Sequence, residues 1–196
     1  MQIEFEELIN GLLENNVGIS NHFLTEDLSN HLNKNLLNYI SADALQTARI
    51  GNEDKRVEDS EVRSDRILWL DKSHGNVHEN AYLEIMDGFI SHLNMTCYTG
   101  ITEAEFHYSL FEKGSFYTKH LDQFQDNSSR KYSLVSYLND SWKEGDGGEL
   151  KVYREGVSEE ISPTSGKTVF FKSNELEHEV LITAVRRMSI AGWLKT

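Results

Sequence analysis

A-E-F-H-Y-S-L, residues 104–110, is the stretch at which the hydrophobic pattern of the chain changes its period. Ala104, Phe106, Tyr108 and Leu110 alternate with polar residues, which predicts a half-buried β-strand. Turn-forming segments such as KEGDGG and SPTSG then separate further short apolar segments. These strand candidates favour a jelly-roll or sandwich: SFYTKH, KYSLVSYL, GELKVY, KTVFF, HEVLI and RRMSIAGWL.

The apolar residues upstream of this stretch have a helical period instead. Residues 26–40 carry leucine and isoleucine at four-residue steps, with Thr25 as a candidate N-cap. Similar stripes predict helices over residues 3–13 and 79–95. We interpret each stripe as the face by which a helix packs on a larger core.

A charged segment, residues 46–71, separates the second and third helices. Its middle has no apolar period, which predicts an exposed loop or finger, and RILWLD at its end predicts a short strand. Residues 52–66 reach the ~12–15 residues beyond which structureless loops are often functional. This part is either a lid or a solvated loop.

Length and composition indicate a single soluble domain of 196 residues. We expect a helical support over about residues 1–95 and a β core over about residues 96–196. No apolar run approaches the ~20 residues of a membrane span. The net charge of −13 argues against a nucleic-acid partner, which requires a basic face.

The N-terminus and the cysteine count predict a cytoplasmic location. MQIEFEELINGLLENN is acidic and lacks the basic start of a secretory signal. Cys97 is the single cysteine and cannot form an internal disulfide, which agrees with a reducing compartment. Because it ends an apolar helical run, HLNMTC, we expect a buried structural thiol rather than a catalytic one.

The segment Y-T-K-H-L-D, residues 117–122, contains the first candidate metal ligands. His120 and Asp122 are two residues apart, so on a strand both side chains project from one face. A third ligand, His178 at the head of HEVLI, would complete the two-histidine, one-carboxylate triad of non-haem iron(II) oxygenases. An HxD pair alone is weak evidence in a chain with eight histidines, and the remaining six lack a second ligand at useful spacing. We expect those six to be surface or core residues: His22, His31, His74, His78, His92 and His107.

Arg187 begins the final strand candidate, nine residues after His178. A buried guanidinium can bind the free carboxylate of a dicarboxylic co-substrate through two parallel hydrogen bonds. On a strand, Arg187 shares a face with Ser189 and Trp193, whereas Arg186 projects from the opposite face. Tyr137 can line the same cavity and donate its phenolic hydrogen to that carboxylate.

These residues resemble the prolyl 4-hydroxylase group of Fe(II)/2-oxoglutarate-dependent dioxygenases, and more narrowly the hypoxia-sensing prolyl hydroxylases and their small bacterial relatives. The resemblance covers roughly residues 45–194 and is strongest over 104–194. It rests on HLD (120–122), YLNDSW (137–142), GGELKVY (147–153), TVFFKS (168–173), HEV (178–180) and Arg187. It implies a double-stranded β-helix (jelly-roll) core packed against N-terminal helices.

The resemblance also implies roles for individual residues. His120, Asp122 and His178 would bind Fe(II), and Arg187 and Tyr137 would bind 2-oxoglutarate. Tyr117 would line the same pocket, and the substrate-binding residues would be Arg63, Asp65, Trp69, Arg130 and Trp193. Two departures concern the co-substrate pocket: one extra residue lies between Asp122 and Tyr137, and Leu110 stands where the hypoxia sensors have a co-substrate-contacting tyrosine.

The activity implied is hydroxylation at C4 of a prolyl residue in a protein substrate with an exposed proline-containing loop. Iron(II) is the cofactor, 2-oxoglutarate and O2 are co-substrates, succinate and CO2 are co-products, and ascorbate is a further expected cofactor. One alternative is the same chemistry on a free amino acid or another small molecule. Another is a non-catalytic jelly-roll that binds a metal or ligand, in which a buried Arg187 has no evident purpose.

Overall fold

A computed structural model describes residues 1–48, 61–123 and 128–196 of the chain. Residues 52–60 of the predicted finger lie outside this described part. The described helices are α1 (Gln2–Asn15), α2 (Glu26–Ser41) and α3 (Val77–Cys97), with a short 3-10 turn at Lys72–His74. The described strands are β1 (Val17–Ser20), β2 (Gln46–Thr47), β3 (Arg66–Trp69), β4 (Glu103–Phe111), β5 (Tyr117–His120), β6 (Arg130–Tyr137), β7 (Leu150–Arg154), β8 (Val157–Ile161), β9 (Thr168–Lys172), β10 (Glu177–Val180) and β11 (Arg187–Lys195).

These strands form two antiparallel sheets. The larger sheet has the order β1-β9-β6-β11-β4-β3-β2, and the smaller has the order β5-β10-β7-β8. An apolar cluster that includes Phe111, Val152 and Phe171 draws on strands of both sheets. The prediction of a mainly β jelly-roll core with N-terminal helices is confirmed.

The three helices pack with the larger sheet to form a second apolar core. Phe5, Leu32 and Phe89 come from the helices, and Tyr108 and Phe170 from the sheet. The predicted Thr25 cap is confirmed, because its side chain accepts a hydrogen bond from the Leu28 N–H at 3.3 Å. Among the described residues, no helix has both the length and the apolar composition to cross a membrane.

The prediction of a half-buried strand at residues 104–110 is wrong in one respect. From Phe106 to Phe111 every residue of β4 is buried, so both faces of that part are covered. One face packs in the core shared with the helices, whereas the other lines the space between the sheets. A buried strand need not alternate in polarity, and here the second face is polar because it belongs to the candidate site.

The expectation of a buried Cys97 is also wrong, because this thiol is exposed. Leu93 is the last buried residue of α3, and positions 95–98 are all exposed. The apolar stripe therefore ends one turn before the helix does.

Three strands were not predicted from the sequence: β1, β2 and β8. β1 and β2 are the outermost strands of the larger sheet, and β8 is charged and largely exposed.

Candidate active site

Three side chains form the candidate metal site: two lie on strands of the smaller sheet, and the third lies just after β5. His120 on β5 pairs in register with His178 on β10, and Asp122 follows two residues after His120. His120 Nε2 lies 3.5 Å from Asp122 Oδ1, and His178 Nε2 lies 3.6 Å from Asp122 Oδ2. One ligand atom from each residue lies within 4.8 Å of the other two, so a single cation could contact all three.

Backbone carbonyls fix the orientation of both histidines. His120 Nδ1 lies 2.7 Å from the Thr118 carbonyl oxygen, and His178 Nδ1 lies 3.0 Å from that of Leu176. A carbonyl can only accept, so each imidazole donates its Nδ1–H and leaves a lone pair on Nε2. This is the tautomer that a metal ligand requires.

The electrostatics of the three groups also suit a cation. Burial acts to raise the pKa of Asp122, but His178 and His120 outweigh it and hold the pKa well below its usual range. Burial lowers the pKa of His178, although Asp122 opposes the change. One carboxylate beside a neutral imidazole is the protonation state that binds a divalent metal.

Arg187 lies on β11 and is only 2% exposed. Its Nε donates to the Gly148 carbonyl at 2.7 Å, and one terminal nitrogen donates to Ser189 Oγ at 3.3 Å. Within the described residues, no carboxylate forms an ion pair with this guanidinium. Burial lowers the pKa of Arg187, as expected for a desolvated cation. An uncompensated buried charge is costly, which favours an anionic ligand here.

Tyr137 presents a second unsatisfied group beside Arg187. Its ring centroid lies 5.1 Å from the guanidinium carbon. The hydroxyl is buried and has no hydrogen bond of normal geometry within the described chain. Burial raises its pKa, although Arg187 has a lowering effect, so the group stays a neutral donor. A donor and a guanidinium together match one carboxylate.

Gly148 accepts a hydrogen bond from Arg187, and neither it nor the preceding Gly147 was predicted as a site residue. Both have a positive φ, of 72° and 74°. A Cβ on Gly148 would lie 3.0 Å from Arg187 Cδ and 3.0 Å from Thr183 Cβ. The glycine allows its carbonyl to reach the guanidinium, and the GG pair between two strand candidates was the available signal.

Phe111 is a second pocket residue that was not predicted from the sequence. Leu110 packs in the core shared with the helices, so it does not face the co-substrate pocket as the sequence comparison implied. Phe111 lines the pocket instead, with its ring centroid 4.9 Å from the Arg187 guanidinium carbon. The position expected to carry the family's co-substrate-contacting tyrosine is therefore Phe111 rather than Leu110, and a phenylalanine has no hydroxyl group.

Arg63, Asp65 and Tyr117 form one stacked unit at the side of the metal site. Arg63 makes two hydrogen bonds to the buried Asp65 carboxylate, at 2.8 Å and 2.7 Å. Its guanidinium carbon lies 4.4 Å from the Tyr117 ring centroid, and that ring stacks on His120 at 3.6 Å. The base of the predicted finger thus contacts a metal-site histidine through an aromatic ring.

The remaining predicted substrate residues lie near one another, and of these Trp193 lines the pocket. The Arg130 guanidinium carbon lies 3.4 Å from the Trp193 ring centroid, and Glu105 accepts two hydrogen bonds from Arg130 at 3.2 Å and 2.9 Å. Trp69 is 38% exposed and lies edge-on to His107. Trp69 is therefore partly exposed rather than in a core, and it contacts His107 and Trp193, which line the pocket.

His107 was expected to be a surface or core histidine, but it lines the pocket with the metal site and Arg187. Its register on β4 was the available signal, because it shares a face with Ser109 and Phe111. Arg186 is exposed and pairs with Glu112 at 3.1 Å, as the opposite-face prediction implied.

Comparison with known proteins covers the region that contains His120, Asp122, His178 and Arg187. The chain matches the family model of the 2OG-Fe(II) oxygenase superfamily over residues 106–195. Its structure is similar to the crystal structure of a Pseudomonas putida prolyl-4-hydroxylase, with 30% sequence identity and a TM-score of 0.88 over 97% of this chain and 98% of that chain.

Two further structures show the same fold at lower identity. A prolyl hydroxylase from Trichoplax adhaerens, in complex with a hypoxia inducible factor oxygen degradation domain peptide fragment, is 24% identical with a TM-score of 0.88, over 97% of this chain and 88% of that chain. A prolyl 4-hydroxylase from Phytophthora capsici is 18% identical with a TM-score of 0.79, over 98% of this chain and 63% of that chain.

Proposed function

The chain belongs to the 2OG-Fe(II) oxygenase superfamily and is a 2-oxoglutarate-dependent dioxygenase, and from this premise we propose that it hydroxylates C4 of a prolyl residue in a protein substrate. The observation that carries the prolyl assignment is the 30% identity to a prolyl-4-hydroxylase over 97% of the chain. A dioxygenase catalyses a reaction, so this enzyme class contradicts the earlier alternative of a non-catalytic jelly-roll. A small-molecule target remains as the alternative outcome of the experiment below.

In this proposal, His120, Asp122 and His178 hold Fe(II), the metal that the family implies together with 2-oxoglutarate and O2. Two free Nε2 atoms beside a carboxylate form a donor set that fits this ion. When bound, the iron and its co-substrates supply the oxidation, in which 2-oxoglutarate and O2 give succinate and CO2 and one oxygen atom enters the substrate C–H bond.

Arg187 and Tyr137 would bind the distal carboxylate of 2-oxoglutarate. The guanidinium retains hydrogen-bond donors beyond those used for Gly148 and Ser189, and the Tyr137 hydroxyl has no other partner of normal geometry. Val135, Leu150 and Val180 line the same cavity. Their apolar side chains would exclude water and so strengthen the charge pairing.

The pocket mouth would bind the protein substrate. Arg63 and Asp65 support Tyr117, and Arg130 stacks on Trp193. Trp69 is partly exposed there and offers an apolar ring to an incoming proline-containing loop. Aromatic residues and arginine are enriched at surfaces that bind another protein.

We also propose three properties that the sequence led us to expect: one domain over residues 1–196, a cytoplasmic location and stimulation by ascorbate. Contacts between the helices and the larger sheet support the single domain. Fractionation of the source cells tests the location, and succinate formation with and without ascorbate tests the stimulation. Failure of residues 96–196 to fold without residues 1–95 would support the single domain.

Mass spectrometry tests the function. The protein, loaded anaerobically with Fe(II) and 2-oxoglutarate, is mixed with a cell lysate and exposed to ¹⁸O-labelled O2, with a His178→Ala variant as the control. We expect one labelled oxygen on proline C4 of a lysate protein only with the unsubstituted enzyme. Label that enters only small molecules, or only other residues, would overturn the prolyl proposal.

A further inference from the structure

His107 lies on the pocket face of the larger sheet, in a row that crosses three strands. Its register partners are Trp69 on β3 and Ala191 on β11. The imidazole is 3% exposed, with ring centroids of Trp69 at 5.0 Å and Trp193 at 5.5 Å. A polar ring thus contacts both Trp69 and Trp193, whose own ring centroids are 6.4 Å apart.

One nitrogen of His107 is used by the protein and the other is free. Nδ1 lies 3.1 Å from the Tyr108 carbonyl oxygen and 3.2 Å from Ser109 Oγ. The carbonyl can only accept, so the ring donates from Nδ1 and carries a lone pair on Nε2. Nε2 has no hydrogen-bond partner within residues 1–48, 61–123 and 128–196. Burial lowers the pKa of His107 to about 4, so the ring is neutral at physiological pH.

Trp193 supplies the complementary group. Its Nε1–H is buried and has no acceptor in the described part of the chain. An unpaired buried donor is unfavourable, and a ligand that accepts this hydrogen would remove that cost. Arg130, itself held by Glu105, stacks on the indole and fixes its plane.

We propose that His107 and Trp193 bind the main chain of the substrate on either side of the target proline. His107 Nε2 accepts the peptide N–H of the residue that follows the proline, and Trp193 Nε1–H donates to the carbonyl that precedes the proline. This inference rests on the proposed prolyl hydroxylation and adds to it the chemistry by which a polypeptide is recognised.

A peptide fits this pair better than an isolated functional group does. A peptide chain presents N–H and C=O groups at fixed spacing, whereas a hydroxyl or carboxylate offers one position. Proline lacks its own N–H, so the donor must belong to a neighbour. The following residue is the nearer choice, because its nitrogen is bonded directly to the proline carbonyl carbon.

The experiment compares two pools of synthetic pentapeptides, acetyl-Xaa-Xaa-Pro-Xaa-Xaa-amide. In the second pool a hydroxy acid replaces the residue after proline, so that an ester replaces that N–H. Binding is measured anaerobically to protein loaded with Mn(II) and a non-reacting 2-oxoglutarate analogue. The readouts are peptide retention by mass spectrometry and Mn(II)-induced relaxation of the proline protons. The unsubstituted protein is compared with His107→Leu, His107→Gln and Trp193→Phe.

We expect the unsubstituted protein to bind the amide pool about tenfold more tightly than the ester pool, as loss of one buried hydrogen bond implies. His107→Leu should reduce that ratio to about one, and His107→Gln, which keeps an acceptor, should restore part of it. Trp193→Phe should weaken both pools equally and leave the ratio unchanged. A general packing defect would not alter the ratio selectively.

Two negative outcomes differ in what they overturn. If both pools bind and relax but the amide-to-ester ratio is the same in His107→Leu, the role of His107 is wrong and the proposed function stands. If the ratio behaves as expected but Trp193→Phe binds both pools normally, the role of Trp193 is wrong. If neither pool is retained or relaxed, prolyl peptide recognition and this inference both fail.

Discussion

The two ends of the pocket are built in different ways. At the inner end, Arg187 and Tyr137 are buried, and a backbone carbonyl and a serine hydroxyl hold the guanidinium. At the outer end, Trp69 and Arg130 are partly exposed, and side-chain ion pairs and ring contacts hold the mouth residues. Arg187 and Trp193 are six residues apart on β11, or roughly 20 Å along an extended strand.

The inner end holds the residues that would bind the co-substrate, whereas the outer end holds the residues that would select the substrate. Backbone groups and glycines fix the inner end, so few substitutions there preserve geometry. Side-chain contacts fix the outer end, and these can change without altering the backbone. We therefore expect inner substitutions to weaken the use of 2-oxoglutarate itself, and outer substitutions to affect only the response to peptide.

The largest effect is expected from His178→Ala. It removes a predicted metal ligand, and loss of groups that merely orient such ligands already costs about 10- to 100-fold. Succinate formation that depends on added iron should fall by more than about a hundredfold. His92→Ala is the matched control, because His92 pairs with Glu6 outside the pocket. Retained turnover in His178→Ala would refute the triad.

Arg187→Ala should have the next largest effect. A hydrogen bond to a charged group contributes about 1.5–3 kcal/mol, so loss of two should raise the 2-oxoglutarate requirement by about a hundredfold or more. Binding of Fe(II), measured by anaerobic titration, should change little. Arg186→Ala is the control, since Arg186 is exposed and pairs with Glu112. An unchanged 2-oxoglutarate requirement would remove Arg187 from the site.

Gly148→Ala tests whether the inner end depends on its backbone. The new Cβ would approach Arg187 Cδ to 3.0 Å, so the guanidinium must move, and we expect 2-oxoglutarate affinity to fall about tenfold. Gly156→Ala has nearly the same φ, of 73°, with nothing within 4 Å of its Cβ. Both variants carry the strain of positive φ, about 1 kcal/mol, but only the first should lose affinity. Equal losses would mean that strain alone is responsible.

The same division explains what could be predicted from the sequence. His120, Asp122, His178 and Arg187 lie in or beside strand candidates, and these positions together with the family resemblance implied their shared location before the fold was known. The jelly-roll could be predicted because turn residues separate its strands. Residues whose role depends on a neighbouring strand could not be found in this way.

His107 and Phe111 illustrate that limit. Their side chains face the pocket because β4 is buried on both faces, and this depends on where the helices and the second sheet pack. Gly148 has its role because a carbonyl meets the side chain of a residue 39 positions later. Cys97 was misjudged because a helical stripe does not reveal where the supporting sheet ends.

Arg130→Gln should have the smallest effect, and that effect should be confined to the outer end of the pocket. The substitution removes the cation stacked on Trp193, worth about 0.5–1 kcal/mol, and the partly exposed pair with Glu105, worth about 0.2–1 kcal/mol. Only part of these contributions stabilises the bound peptide, so peptide-pool affinity should fall about threefold to tenfold, while succinate formation without peptide stays within about twofold. Lys172→Gln, which removes an exposed pair with Glu175, is the control. A large loss of peptide-free turnover in Arg130→Gln would show that the two ends are coupled, because the indole that Arg130 stabilises would then be needed to hold the inner geometry as well as to meet the substrate.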